Sequence, residues 1–218
     1  MRRLGLAINY WTKLMLLAAT AVLMMAGSTR PVFAGVGATE AVQGTIAKVM
    51  RVLDDDRLKG PDQVVVRRHQ IEEIIRERVD YEEMAKRTLA TQWSSLSHHE
   101  RSEFVDLFVQ LLRDTFAGRI AERSDEEVVF LNEQQEDGFA RVRTQLKGRK
   151  VDTRVDFLLI QRVSDWRVYD VVIDGASIVA NYRSQFMSII RDVSYGGLVK
   201  KMRQKAVAVK GFEQIPAP

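Results

Sequence analysis

Residues Trp166–Phe186 read WRVYDVVIDGASIVANYRSQF. Trp166–Ile173 is rich in β-branched and aromatic side chains, the composition of a buried strand. Gly175 breaks it. From about Ala176 to Arg191, Ile178, Val179, Tyr182, Phe186, Ile189 and Ile190 recur at helical intervals, and the polar run Asn181–Gln185 interleaves with them. A strand, a glycine turn and a helix with one apolar face predict a helix that folds back onto a sheet.

Upstream of Trp166 the period is two. Val128–Gln135 is strand-like, Asp137-Gly138 is a hairpin turn, and Phe139–Lys147 continues to a turn at Gly148. Val151, Thr153, Val155, Phe157 and Leu159 then alternate with Asp152, Arg154 and Asp156, and Ser164-Asp165 turns the chain into Trp166. One face of such a sheet is buried and the other wet. The expectation is a four-stranded antiparallel meander.

Helices precede the strands. Ala41, Val42, Thr45, Ile46, Val49, Met50 and Leu53 fall at helical spacing, and Gln63–Val79 repeats the pattern through Val66, Ile71, Ile74 and Ile75. Asp80-x-x-Glu83 and Ser97-x-x-Glu100 both have capping-box spacing. The first opens a short helix to about Ala90. The second opens a long one with the stripe Phe104, Leu107, Phe108, Leu111, Leu112, Phe116 and Ile120. Gly196-Gly197 is expected to separate a short basic segment, Lys200–Lys205, which either docks on an acidic partner or an anionic membrane or forms a solvated helix. These patterns predict an α+β fold: a helical layer on a curved sheet, similar to the cystatin/NTF2-like class, with an apolar cup between them. Periodicity alone leaves open whether side chains fill that cup or a ligand does.

The ends indicate export. Arg2, Arg3 and Lys13 precede the apolar run Leu14–Ala26, which is shorter than the roughly 20 residues a membrane span needs. Val32-Phe33-Ala34 has the small residues of a cleavage site. Residues 1–34 are therefore read as a cleaved signal peptide, with an uncleaved N-terminal anchor as the alternative, 35–205 as the α+β domain and 206–218 as a flexible tail. The chain carries 33 basic and 29 acidic residues. Removing the leader takes Arg2, Arg3, Lys13 and Arg30 with it and leaves 29 of each sign, which argues against nucleic acid as a partner. There is no cysteine, so disulfides and thiolate chemistry are excluded.

Catalytic signals are sparse. His98 and His99 are adjacent and diverge on a helix start, His69 stands alone on a charged face, and no metal-ligand spacing links them. Asp170, within the most apolar strand, is the candidate base for an enzyme of isomerase or dehydratase type if burial raises its pKa. The plainer alternative pairs it with an arginine or exposes it to solvent. No serine lies in a G-x-S-x-G context and no phosphate-binding loop is present. The Asn181–Gln185 cluster reads as a pocket rim or, more simply, as packing of the helix on the sheet.

Three segments together resemble one family. They are Asp80-Tyr81-Glu82-Glu83-Met84-Ala85 with Leu89 and Trp93; Glu103-Phe104 through Phe116; and Trp166–Phe186 with its W-x-V-Y-D-V strand, Gly175-Ala176-Ser177 turn and Asn181–Phe186 N-Y-R-S-Q-F run. Over roughly Val64–Lys205 the chain resembles the MlaC or "toluene-tolerance" family of periplasmic lipid-binding proteins, auxiliary components of lipid ABC transport systems. The resemblance implies a monomeric carrier with no cofactor and no catalytic residues. It would shuttle lipid between an outer-membrane lipoprotein complex and an inner-membrane ABC transporter with its substrate-binding component. It also implies an apolar lipid site, for which this chain offers Phe108, Leu112, Phe116, Phe157, Leu159, Trp166, Val168, Val172, Ile178, Tyr182 and Phe186. The cargo stays open between a phospholipid and, by resemblance to a hopanoid-associated branch, a rigid polycyclic lipid. The competing readings are a small-molecule enzyme built on Asp170 and an interaction module with a filled core.

Overall fold

The structure, a computed structural model, describes residues 36–121, 127–148, 151–163 and 165–204. The expected leader and the expected tail lie outside the described residues, as does Ser164. Among the described residues the α-helices α1 Ala38–Asp54, α2 Val64–Arg78, α3 Tyr81–Leu89 and α4 His98–Ala121 precede the sheet. Strands β1 Glu127–Glu136, β2 Phe139–Lys147, β3 Thr153–Arg162, β4 Asp165–Ile173 and β5 Ala176–Ser177 follow, and α5 Ile178–Arg203 ends the described chain. None of the helices among the described residues is long and apolar enough to cross a membrane.

The strands pair antiparallel in chain order, so the sheet is an open meander of five strands. This corrects the expectation of four. Asp174 and Gly175 both have positive φ (47° and 88°), the requirement of a tight two-residue hairpin turn. Ala176 and Ser177 therefore pair back onto Ile173 and Val172 before the helix starts.

The local signals at helix starts divide. Ser97 and Glu100 form the full reciprocal box, with Ser97 N–H donating to Glu100 Oε2 at 2.8 Å and Glu100 N–H to Ser97 Oγ at 3.3 Å. Asp80 caps α3 by accepting from Glu83 N–H at 2.9 Å, but the return arm is not made. Its own N–H donates to Val168 O at 2.8 Å, where the chain lies parallel to β4, and Glu83 instead pairs with Arg87 at 2.8 Å. A tertiary bond has displaced a local one, and it fixes the α2–α3 connection to the sheet.

The helix α5 breaks at Val193-Ser194, not at Gly196-Gly197 as the sequence suggested. The glycines continue the second helical segment. A Cβ on Gly197 would lie 2.7 Å from Val193 Cγ2, so the glycine permits close approach at the kink. Beyond it, Leu198, Val199 and Met202 are buried while Lys200 and Lys201 stay in solvent. Lys205 lies outside the described residues.

Two cores result. One is helical: Phe104 and Phe108 of α4, Met84 and Leu89 of α3, and Tyr182 and Phe186 of α5 are all buried. The other joins α1 to the sheet, where Ala38, Ala41 and Val42 meet Ala140, Leu159, Trp166 and Val168. Arg78 ties the second core together by donating to Thr45 Oγ1 of α1 at 3.1 Å, to Asp165 Oδ1 of β4 at 2.6 Å and to the Trp166 carbonyl.

Candidate functional site

The sheet's inner face can be followed row by row from the register. Ala140, Leu159 and Val168 are neighbours, then Val142, Phe157 and Val171, then Thr144, Val155 and Ile173, then Val128, Leu146 and Thr153. The small residues Ala38 and Ala41 let the start of α1 sit directly on the first row, which closes that end. Toward the last row α1 and α2 stand off the sheet. Between them lies a cavity of about 400 Å³, within the range of small-molecule sites.

Its walls are apolar. The helix α1 supplies Val42, Ile46, Val49, Met50 and Leu53; α2 supplies Ile71 and Ile75; and α4 supplies Val109 and Leu112. The sheet adds Val128, Leu146, Val155, Phe157, Val168, Val171 and Ile173, and Ile178 comes from the start of α5. The polar lining is confined to Thr45, Thr153, Tyr81, Glu72 and the arginines 68, 76, 78 and 113. Burial pushes the Tyr81 phenol pKa up, with Arg76 and Arg113 pulling against it. This inventory suits enclosure of apolar groups and offers no nucleophile paired with a base.

The residues that the sequence nominated divide by position. Leu112, Phe157, Val168 and Ile178 line the cavity. Leu159 and Trp166 share the inner face but are covered by α1 in the second core. Phe108, Tyr182 and Phe186 belong to the helical core, with ring centroids 5.4–6.1 Å apart, and do not line the cavity. Tyr182 is fully buried against Thr115, 3.3 Å between hydroxyls, and burial pushes its pKa up to about 12. The side chain of Phe116 is outside the described part of α4.

Val172 has a separate explanation. Val168 pairs with Leu159 and Asp170 with Leu158, so Tyr169 is an extra residue in β4. Such a bulge reverses the inside–outside alternation beyond it. Val171 and Ile173 therefore face the cavity, and Val172 sits opposite Asp156 on the outer face. The freed Tyr169 ring carries Arg87, whose guanidinium carbon lies 4.0 Å from the ring centroid. The α1 and α2 contribution was the main omission of sequence reading. Its signal, the stripe Ile46, Val49, Met50 and Leu53, was visible but indistinguishable from ordinary core.

The bulge also explains Asp170. It is buried on the face away from the cavity, neither paired with an arginine nor exposed. Its Oδ1 accepts from Val171 N–H at 2.8 Å and Val179 N–H at 3.0 Å, and its Oδ2 accepts from the Ser177 hydroxyl. Ser177 Oγ in turn caps α5 by accepting from Ala180 N–H at 2.9 Å. Burial pushes the carboxyl pKa up, and the bonds from Ser177, Val179 and Val171 pull it down. Its geometry anchors α5 to β4. Asp170→Ala strands one buried and one half-buried N–H donor and weakens the cap, and is expected to cost about 2–4 kcal/mol in a denaturant melt. Asp170→Asn keeps an acceptor for both N–H groups and should cost about 1 kcal/mol. A milder Ala than Asn variant would contradict this anchoring role.

The other polar candidates hold structure. In the Asn181–Gln185 cluster, Gln185 donates to Asn181 and Arg183 Nε donates to the Arg87 carbonyl of α3 at 2.7 Å. The three histidines are exposed, and no group of His, Asp and Glu suited to a metal occurs among the described residues.

Comparison with known proteins places this architecture. The sequence model described as MlaC protein matches residues 43–204, from α1 to the end of α5. Among solved structures, the chain is similar to the phospholipid-binding protein from Ralstonia solanacearum, determined in complex with a phospholipid. The TM-score is 0.67 at 22% identity, over 76% of this chain and 94% of that one. No curated protein matches the chain. A family match over residues 43–204, most of the sequence, assigns the chain: it belongs to the MlaC family.

Proposed function

We propose that this chain is a periplasmic lipid carrier that holds phospholipid acyl chains in the cavity between the sheet and helices α1, α2 and α4. The observation that carries this reading is the cavity itself, about 400 Å³, apolar-walled and charged along one edge. Family membership and the phospholipid in the similar structure support the choice of ligand. The physical need is plain. Each buried methylene is worth about 0.8 kcal/mol, so a chain of about 15 methylenes costs on the order of 12 kcal/mol to expose to water. A protein that encloses the tails removes that barrier without any chemistry.

In this reading the leader is cleaved on export. The carrier then exchanges lipid with an outer-membrane lipoprotein complex and with the substrate-binding component of an inner-membrane ABC transporter. The open cavity disfavours an interaction module with a filled core, and the position of Asp170 outside the cavity disfavours the enzyme.

The test is native mass spectrometry with lipid extraction on protein recovered from the periplasm of a cell expressing the full chain. Phospholipid bound to protein that begins near Gly35 is the expected result. A polycyclic lipid in its place would redirect the cargo assignment to hopanoids. Protein that is reproducibly empty and takes no lipid from vesicles would refute the carrier.

A further inference from the structure

The cavity's charged edge is built, not scattered. Arg68, Glu72 and Arg76 lie four residues apart on α2, on one flank of the helix whose Ile71 and Ile75 line the cavity, and Arg113 approaches from α4. Glu72 holds two guanidinium groups at once. Arg68 Nε donates to its Oε1 at 3.1 Å, and Arg113 Nε lies 3.1 Å from its Oε2. Both contacts use Nε, and among the described residues nothing accepts from the Nη amines of Arg68 or Arg113. Among the described residues, Arg76 pairs with Glu73 at 3.6 Å. Arg78, by contrast, is spent on Thr45, Asp165 and the Trp166 carbonyl.

The balance is three cations against two carboxylates, Glu72 on the lining and Glu73 beside Arg76, which leaves one positive charge in excess. Glu72 and Arg113 are 19% and 34% exposed, so solvent screens their field incompletely, while Arg68 and Arg76, at 48% and 56%, reach further into water. The excess positive charge beside an apolar cavity favours one further anion. A planar fork of free Nη amines matches tetrahedral phosphate oxygens. Tyr81, also on the cavity wall, adds a hydroxyl to the polar lining.

We propose that Arg68, Arg76 and Arg113, gathered by Glu72, form the subsite for the phosphodiester of the bound lipid. This rests on the carrier reading and deepens it. The apolar walls take the tails regardless of headgroup, and the arginine edge selects lipids that carry phosphate.

Delipidated protein and an Arg76→Gln/Arg113→Gln variant are offered phosphatidylglycerol vesicles or, separately, diacylglycerol of the same chains in detergent micelles. Bound lipid is counted by native mass spectrometry. The variant should lose about tenfold or more of its phosphatidylglycerol affinity, the scale of lost charge-assisted hydrogen bonds, and keep wild-type diacylglycerol binding. Unchanged phosphatidylglycerol binding, or an equal fall for both lipids, would overturn the subsite and leave the carrier standing. A wild-type protein that binds neither lipid would remove the carrier reading and the subsite with it. Micromolar binding of inorganic phosphate by lipid-free wild type, lost in the variant, would reassign the cluster to free phosphate.

Discussion

Phe157→Arg is expected to abolish phospholipid retention in a protein that still folds. Phe157 stands in the middle of the inner face, paired with Val142 on one side and Val171 on the other. It is half-buried, packed against the margin of the second core on one side and lining the cavity on the other. In the lipid-free protein an arginine there can lay its methylenes along the wall and extend its charge to water, so the melting temperature should fall only modestly. Acyl chains in the cavity would enclose the guanidinium without a counter-ion. The effective cost of burying an ion is several kcal/mol, or roughly two orders of magnitude in affinity or more. Phe157→Leu keeps the wall apolar and should retain lipid. The comparison is bound lipid per protein by native mass spectrometry, beside circular dichroism melts of all three proteins. Full occupancy in Phe157→Arg would mean that the tails lie elsewhere.

Phe157 was legible in the sequence because β3 alternates without interruption. Val172 was not, because one extra residue, Tyr169, reverses β4 halfway along. Nothing in WRVYDVVI announces the reversal. A bulge depends on which partner carbonyls and amides are in reach, and that is a property of the assembled sheet. The fifth strand is a similar case. Asp174-Gly175 reads equally well as the end of a strand or as a hairpin turn, and only the pairing of Ala176 and Ser177 decides. Helix order, strand order and the α+β layering were all carried by periodicity, which is local and survives packing.

The cavity wall was harder for a different reason. Large aromatic side chains suggest a lipid site because of their area, yet Phe104, Phe108, Tyr182 and Phe186 satisfy one another edge to face. Rings that find complementary rings fill space completely. The aliphatic side chains of α1 and α2, with no aromatic partners to lock onto, border the space that remains. Helical periodicity identifies the stripe on α1 but not how far that helix stands from the sheet. The standoff is set by Ala38 and Ala41 at one end and by the Arg78 bonds at the base of α2.

This division leads to the second large effect, on stability. Phe108 is fully buried. Its ring stacks with Phe104 at 6.2 Å and meets Tyr182 and Phe186 edge-on at 5.4 and 6.1 Å. Phe108→Ala removes a ring that joins α4 to α5, and its rigid neighbours cannot collapse into the space. Such a truncation costs about 3–5 kcal/mol, which for a domain of this size lowers the melting temperature by roughly 6–20 °C. Phe108→Leu, closer in volume, should lose less. Because the ring lies outside the cavity, Phe108→Leu protein that remains folded should bind as much phospholipid as wild type, the reverse of the pattern at Phe157. Thermal melts and lipid counts on the same preparations separate the two positions. If Phe108→Ala melted like wild type but lost its lipid, the ring would belong to the lipid site, and the separation of the helical core from the cavity would be wrong.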